Sequence, residues 1–514
     1  MLIACARTID NLRNESPTPN KKRMEEATHI TISYGDGIGA EIMTSVLSLL
    51  METRAPLNID TIQIGKECYE KAYPEGITPD GWKSILRNTT YLRSPYIMPN
   101  EKGNVGLEEV LNEALGLYAE FIQYTPYPSI KNQTQKRTTL VRELKQGFSS
   151  SIEYKQPQLS YNALYQTELD VFEKLVIRSF EYASLYHYPS VKCVGFGHQQ
   201  MSLLDAVRKK RFKRIASNYD SITAHYEDID ALLYSDNQDS DEDKIFVIPD
   251  LYFNIIRPWI KNKYGAALYL LESKMSLGDE LSVFSTSHNA LSDLEGTNTS
   301  DPSQLLLAAI MMLNHTGHFD IASKIHNAWL KTIEDGFRPI YSNDIDIEGT
   351  SVSTMEFSQN IIKRLYQTPS EFSPINYSAN AAVKADETTP NHTEDLDHSD
   401  DSDETQLVGV DVFFGSHQQS DEGFIDKIID LTQNEHLQLQ YVASGRHKVW
   451  PQKNAYVNTM PYYARFLPSG AKEASQSHIV SLLKALSDSD IDFVKTEHLY
   501  LHDTILGFNI AKGA

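Results

Sequence analysis

Ile30-Thr31-Ile32-Ser33-Tyr34-Gly35-Asp36-Gly37-Ile38-Gly39-Ala40-Glu41-Ile42 passes from an alternating, β-branched stretch into a turn with three glycines in five residues. A strand is expected first, because alternation puts one set of side chains on each face. Beyond the turn, Ile42, Met43, Val46, Leu49 and Leu50 recur at helical spacing, so a helix follows. Glycines without a Cβ let backbone N–H groups approach a ligand closely. The spacing is not the G-x-G-x-x-G of dinucleotide-binding turns, and a purely structural turn explains it equally well.

Outward from this unit, apolar stripes predict helices over 107–122 (Leu107, Val110, Leu111, Leu115, Tyr118) and 167–184, the latter with Thr167 as N-cap. A helical pair is expected at 303–316 and 319–334, separated by Gly317. Val191–Val194 and Ile245–Ile248 read as short buried strands, and strands alternating with helices indicate an α/β fold. Between 376 and 406 Asn, Ser, Thr, Asp and Glu dominate, too polar to offset ordering entropy, so an acidic disordered linker is expected. A strand at Val408–Phe414, helices near 422–433 and 477–488 and a strand around Asp492–Val494 then form a small α+β unit. The expected organisation is an N-terminal extension (1–27), a main α/β part (28–375), the linker (376–406) and a C-terminal domain (407–514).

The 514 residues carry 47 basic and 69 acidic side chains, a formal net charge of −22. This balance opposes binding to nucleic acid or an anionic membrane. No apolar run reaches the roughly 20 residues of a membrane span. Cys5, Cys68 and Cys193 lack metal-ligand spacing and fit a reducing compartment, so a cytoplasmic protein is expected. The first 27 residues lack an apolar signal core. Arg7 and Arg13 lean towards a transit peptide, Asp10 and Glu15 oppose it, and Met24 offers an alternative start.

With these pieces placed, four stretches in order carry a family resemblance: Gly35–Gly39 with Glu41-Ile42; Gly65 through Gly76-Ile77-Thr78-Pro79; Arg142-Glu143, Gly147 and Ile152-Glu153 with Arg178 and Phe180–Ala183; and Asp301-Pro302 through Gly317. The C-terminal unit adds Val408–Phe413, Lys448–Pro451 and Val494–Tyr500. The chain resembles the NADP-dependent isocitrate dehydrogenases of the isocitrate/isopropylmalate dehydrogenase family, in the bacterial type with an additional C-terminal domain. The resemblance implies large and small α/β domains flanking a cleft, a small α+β C-terminal domain, a homodimer, and NADP with Mg2+ or Mn2+.

Such chemistry needs a base for the hydroxyl proton, a nicotinamide to take hydride, a hard cation to stabilise the enolate, and arginines for a tricarboxylate. Carried over position by position, most of these groups are missing. The substrate loop's Arg-Ser-x-Asn and following arginine fall on Val105, Gly106, Glu108 and Asn112, and a further arginine falls on Ile122. Arg142 alone remains, as a carboxylate ligand or as a structural ion pair near Glu143. The catalytic tyrosine falls on Ser149 and the catalytic lysine on Phe196, with His198 as a substitute base nearby. For the metal, Asp230 is retained, while the Asp-x-x-x-Asp pair has become Asn254 and Pro258. Ile38, His288 and Asp301 occupy cofactor-contacting positions.

Losing a buried charge partner costs about 2–5 kcal/mol, and losing acid–base groups removes roughly a further 10² to 10⁴ in rate. The expectation is therefore a cleft emptied of cations and carboxylates in a catalytically silent relative, acting as a regulatory or binding subunit. Its partner would be a second copy or an intact homologue in a hetero-oligomer. Two alternatives stand beside it. One is a working enzyme converting isocitrate to 2-oxoglutarate in the TCA cycle. The other is a dehydrogenase for a less anionic hydroxy acid in a cleft lined by Phe196, Ile122 and Val105.

Overall fold

The computed structural model describes residues 27–71, 73–98, 107–128, 137–144, 147–155, 161–197, 202–234, 243–265, 270–340, 349–378, 405–415, 423–432, 436–444, 447–451, 462–469, 473–502 and 505–511. The expected extension 1–27 and linker 376–406 fall almost wholly outside these. The chain divides into two units, residues 1–150 with 165–386, and residues 151–164 with 387–514.

A ten-stranded sheet organises the first unit. Its strands are β1 (Thr28–Ser33), β2 (Leu57–Ile62), β3 (Thr90–Arg93), β4 (Ala119–Pro126), β5 (Thr138–Glu143), β8 (Ser190–Gly195), β9 (Thr223–Asp228), β10 (Lys244–Ile248), β11 (Leu270–Leu277) and β12 (Ser282–Thr286). A separate two-stranded sheet pairs β6 (Gly147–Lys155) with β7 (Tyr161–Gln166). The large sheet runs β2-β1-β3-β12-β11-β4-β5-β10-β8-β9. Strands β2, β1, β3 and β12 are mutually parallel, as are β5, β10, β8 and β9. Antiparallel pairing of β12 with β11, β11 with β4 and β4 with β5 joins the two halves. Parallel strands need crossovers, and helices lie between the strands: α1 (Gly39–Glu52), α2 (Lys66–Glu70), α3 (Pro79–Asn88), α4 (Leu107–Ala114), α5 (Leu169–Tyr186), α6 (Ser202–Ala216), α7 (Ile229–Tyr234) and α8 (Phe253–Gly265), while α9 (Ser303–His315), α10 (Phe319–Glu334) and α11 (Thr354–Ile362) follow the last strand of the sheet. Three apolar clusters cover the sheet, one of them holding α1, α5, α9 and α10 against it.

Two expected elements differ. The helix expected over 107–122 stops at Ala114, and Ala119–Pro126 is a central strand. Gly116 breaks it with φ +68°, and the β-favouring Tyr118, Phe121, Ile122 and Tyr124 follow. Thr167 does not cap α5, which begins at Leu169 with Glu168 at the N-cap and no side-chain cap bond. The core also reaches two residues into the stretch expected as linker. Tyr377 is buried, and its hydroxyl meets His326 Nδ1 at 2.8 Å.

The second unit carries a six-stranded sheet of β15 (Thr405–Phe414), β16 (Leu437–Ser444), β17 (His447–Trp450), β18 (Tyr462–Pro468), β19 (Phe493–His502) and β20 (Ile505–Leu506), ordered β17-β16-β18-β15-β19-β20; the short strands β13 (Phe337–Pro339) and β14 (Thr350–Val352) belong to the first unit. All its pairs are antiparallel. Alternation on β15 turns Val410, Val412 and Phe414 towards helices α12 (Phe424–Thr432) and α13 (Gln476–Asp488). Asp411 points the other way and receives both Arg465 Nε (2.8 Å) and Nη2 (2.6 Å), a bidentate pair.

Candidate functional site

The glycine turn is held by packing. Asp36 N–H donates to Pro95 O at 2.9 Å, Ile38 N–H to Ala290 O at 2.8 Å and Gly39 N–H to Asp36 O at 2.9 Å. A Cβ on Gly35 would fall 1.9 Å from Pro95 O, and one on Gly37 2.1 Å from Ala290 O, both at positive φ. The glycines are thus required by neighbouring loops. The Ile38 side chain is buried, and its N–H is already bonded. Two acids flanking the turn anchor it further. Asp36 Oδ2 accepts from Ile97 N–H (2.7 Å) and Lys66 N–H (3.0 Å). Glu41 accepts from Asn298 N–H (2.9 Å), Ser300 N–H (2.7 Å) and Thr354 Oγ1 (2.7 Å).

Arg142 lies on β5 directly opposite Glu120 on β4. Its Nε donates to Glu120 Oε2 at 2.7 Å, its Nη1 reaches Asp250 Oδ1 at 3.5 Å, and its guanidinium sits 3.7 Å over the Phe253 ring. Its ion partners are Glu120 and Asp250, while the neighbouring Glu143 pairs with the fully buried Arg208 at 2.6 Å. Glu120 also faces Lys274 on β11 at 3.5 Å. Lys274 in turn donates to Glu108, which stands 3.7 Å from Arg93. Burial opposes the charge of Glu108, but Lys274 and Arg93 outweigh it and hold the carboxyl at about 2. Burial likewise opposes the charge on Lys274, and Glu120 with Glu108 overrides it. The expected vacancy is therefore corrected: cations are present, and the chain's own carboxylates neutralise them. Arg93, Glu120 and Lys274 belong to no motif, and only the strand register brings them together.

The replaced positions scatter. Phe196 and Ile122 are buried in the core under α8, with Tyr252 Oη donating to Phe196 O at 2.6 Å, so neither lines an apolar cleft. Val105, Gly106 and His198 lie outside the described residues; Ser149 lies on β6, and its side chain is not among those described. Asn254 and Pro258 are exposed, one turn apart on α8. Proline inside the helix leaves the Asn254 carbonyl without its usual i+4 donor. Asp230 is exposed in the first turn of α7, beside Gly197. Among the described residues no three His, Cys, Asp or Glu side chains are grouped to hold a metal. Asn254 offers at most one neutral carbonyl oxygen and Pro258 none, a donor set too sparse for Mg2+ or Mn2+, which are held through carboxylates.

The positions that the resemblance assigns to the cofactor retain more polar groups. His288 is half-buried, its Nδ1 meets Asn289 O at 3.0 Å, and desolvation lowers its pKa, keeping it neutral. Asp301 is buried at the start of α9, with Oδ1 accepting from Ser303 N–H at 2.8 Å. Burial pushes its pKa up to about 6, and Oδ2 has no hydrogen-bond partner among the described residues. Thr286 Oγ1 and Ser287 Oγ are similarly orphaned. With a pKa of about 6 Asp301 is largely ionised at neutral pH, so the unpaired Oδ2 acts as an acceptor, which fits an amino group on a heterocycle.

Residues 29–361 match the model of the isocitrate/isopropylmalate dehydrogenase family, and residues 405–514 that of the bacterial isocitrate dehydrogenase C-terminal domain. The chain belongs to the isocitrate/isopropylmalate dehydrogenase family. Isocitrate dehydrogenase [NADP] of Rickettsia felis is 32% identical over 95% of this chain and 100% of its own length. A mitochondrial isocitrate dehydrogenase [NAD] regulatory subunit of Dictyostelium discoideum is 26% identical over 70% of this chain and 97% of its own. In fold, the TT0538 protein of Thermus thermophilus superimposes with a TM-score of 0.72 at 23% identity, covering 94% of this chain and 95% of that one.

Proposed function

We propose that this chain is a catalytically silent isocitrate dehydrogenase homologue that acts as a regulatory or binding subunit, with a second copy or an intact homologue as its partner. One observation carries the reading. Glu108, at the position of a substrate-binding asparagine, pairs with Lys274 and Arg93, while Glu120 holds Arg142. A tricarboxylate would have to displace two built-in carboxylates, one of them almost fully buried, from the cations it needs. No base stands at Phe196, and Asn254 with Pro258 offers no divalent-ion site.

NADP retention is the separable part of this reading. His288 and Asp301 would hold the adenine side, and the cofactor when bound supplies a hydride acceptor. The name of the Dictyostelium relative is consistent with regulatory members in this family. The competing reading, a working cytoplasmic NADP-dependent enzyme using Mg2+ or Mn2+, is favoured by the full-length likeness to the Rickettsia felis protein. Following NADPH formation from isocitrate with Mn2+ separates the two. The silent reading expects a rate indistinguishable from the protein-free blank, and turnover abolished by Arg142→Ala would establish the competitor.

A further inference from the structure

A crevice of about 440 Å3 opens on the opposite face of β11 from the ion network. Alternation along the strand separates the two: Lys274 reaches Glu108 and Glu120, whereas Met275 and Leu277 line the crevice. Leu185 and Tyr186 of α5, Met311 of α9 and Phe319 of α10 complete an apolar, sulfur-rich and aromatic wall. The volume lies within the roughly 300–1,000 Å3 of small-molecule sites, and methionine with aromatic walls suits a flat ring.

The mouth has a definite charge. Arg178 is held by Glu181 at 2.8 Å and Lys174 by Asp279 at 2.8 Å. Glu280, exposed in the β11–β12 turn, adds a further carboxylate, so acids outnumber bases. Deeper in, His315 is uncharged at neutral pH, because burial pushes its pKa down to about 4. Among the described lining residues Arg178 is the one side chain that is cationic at neutral pH, and it already pairs with Glu181.

We propose that this crevice binds a small aromatic amine, its ring against Met275 and Met311 and its ammonium group towards Glu280. The site is independent of the cleft reading, since none of its lining residues belongs to the ion network. Tryptamine is the probe, titrated calorimetrically into the full chain, with indole-3-acetate as the same ring carrying the opposite charge. Saturable one-to-one tryptamine binding is expected, with indole-3-acetate at least tenfold weaker. Leu185→Trp, at a partly buried position, fills the crevice and should remove binding, while the surface change Glu280→Gln should weaken it severalfold. Absence of saturable binding, equal affinity for both indoles, or affinity untouched by Glu280→Gln would overturn the assignment. The last comparison stands even if Leu185→Trp fails to fold.

Discussion

Glu120 faces Arg142 across the β4–β5 pair, and its Oε2 accepts the Arg142 Nε hydrogen at 2.7 Å with only 1% of the Glu120 side chain exposed. A desolvated carboxylate of this kind is a fixed counter-ion. Its other oxygen faces Lys274 at 3.5 Å, so one acid neutralises two largely buried cations.

Glu120→Gln should be strongly destabilising, because it leaves Arg142 and Lys274 short of charge in a buried setting. A loss of about 3–5 kcal/mol in urea unfolding is expected. Added citrate should restore part of that loss in the variant and leave the unsubstituted protein unchanged. A variant as stable as its parent would show that the pair does not hold the strands together.

Asp301 provides a pH signature. Its pKa is raised by burial from 3.8 to about 6, so the folded chain binds its proton more tightly than the unfolded chain does. The stabilisation is complete below the unfolded value and is lost as pH rises through about 6. Asp301→Asn cannot ionise, so relative to its parent it should gain about 2–3 kcal/mol between pH 4 and pH 8. Denaturant titrations at the two pH values check this, and parallel pH profiles would contradict it.

Gly37→Ala and Gly317→Ala contrast packing with conformation. Both positions have positive φ, but a Cβ at Gly37 meets Ala290 O at 2.1 Å while one at Gly317 meets nothing within 4 Å. Gly317→Ala should cost about 1 kcal/mol and Gly37→Ala clearly more, with loss of soluble protein an acceptable form of that result. Equal thermal shifts would mean that the turn yields.

Metal addition should do nothing. Millimolar Mn2+ or Mg2+ stabilises a protein only if it binds the folded state. With Asn254 and Pro258 exposed and no three-ligand cluster among the described residues, the melting temperature should not move. A saturable rise that Asp230→Asn removes would restore the metal site.

Local signals carried the outline of this fold. The β-branched run, glycine turn and apolar spacing at 30–50 gave β1 and α1, and Gly317 separated α9 from α10. The start of β4 is illegible in the sequence because Leu107 to Tyr118 keeps a helical stripe, and the break rests on the single residue Gly116. The ion network was hidden for a different reason. Arg93, Glu108 and Glu120 sit on three separate elements and Lys274 lies about 150 residues further on, and only cross-strand register and the placement of α4 unite them. Counting missing family residues therefore suggested an absence of charge, whereas the fold supplies charges that satisfy one another.

Calorimetric titration of isocitrate with Mn2+ into the unsubstituted protein and into Glu108→Gln tests this account most directly. The self-neutralised cleft predicts no binding heat in the parent and measurable binding in the variant, where Lys274 and Arg93 lose their internal anion. Saturable binding to the parent, unchanged by the substitution, would contradict it.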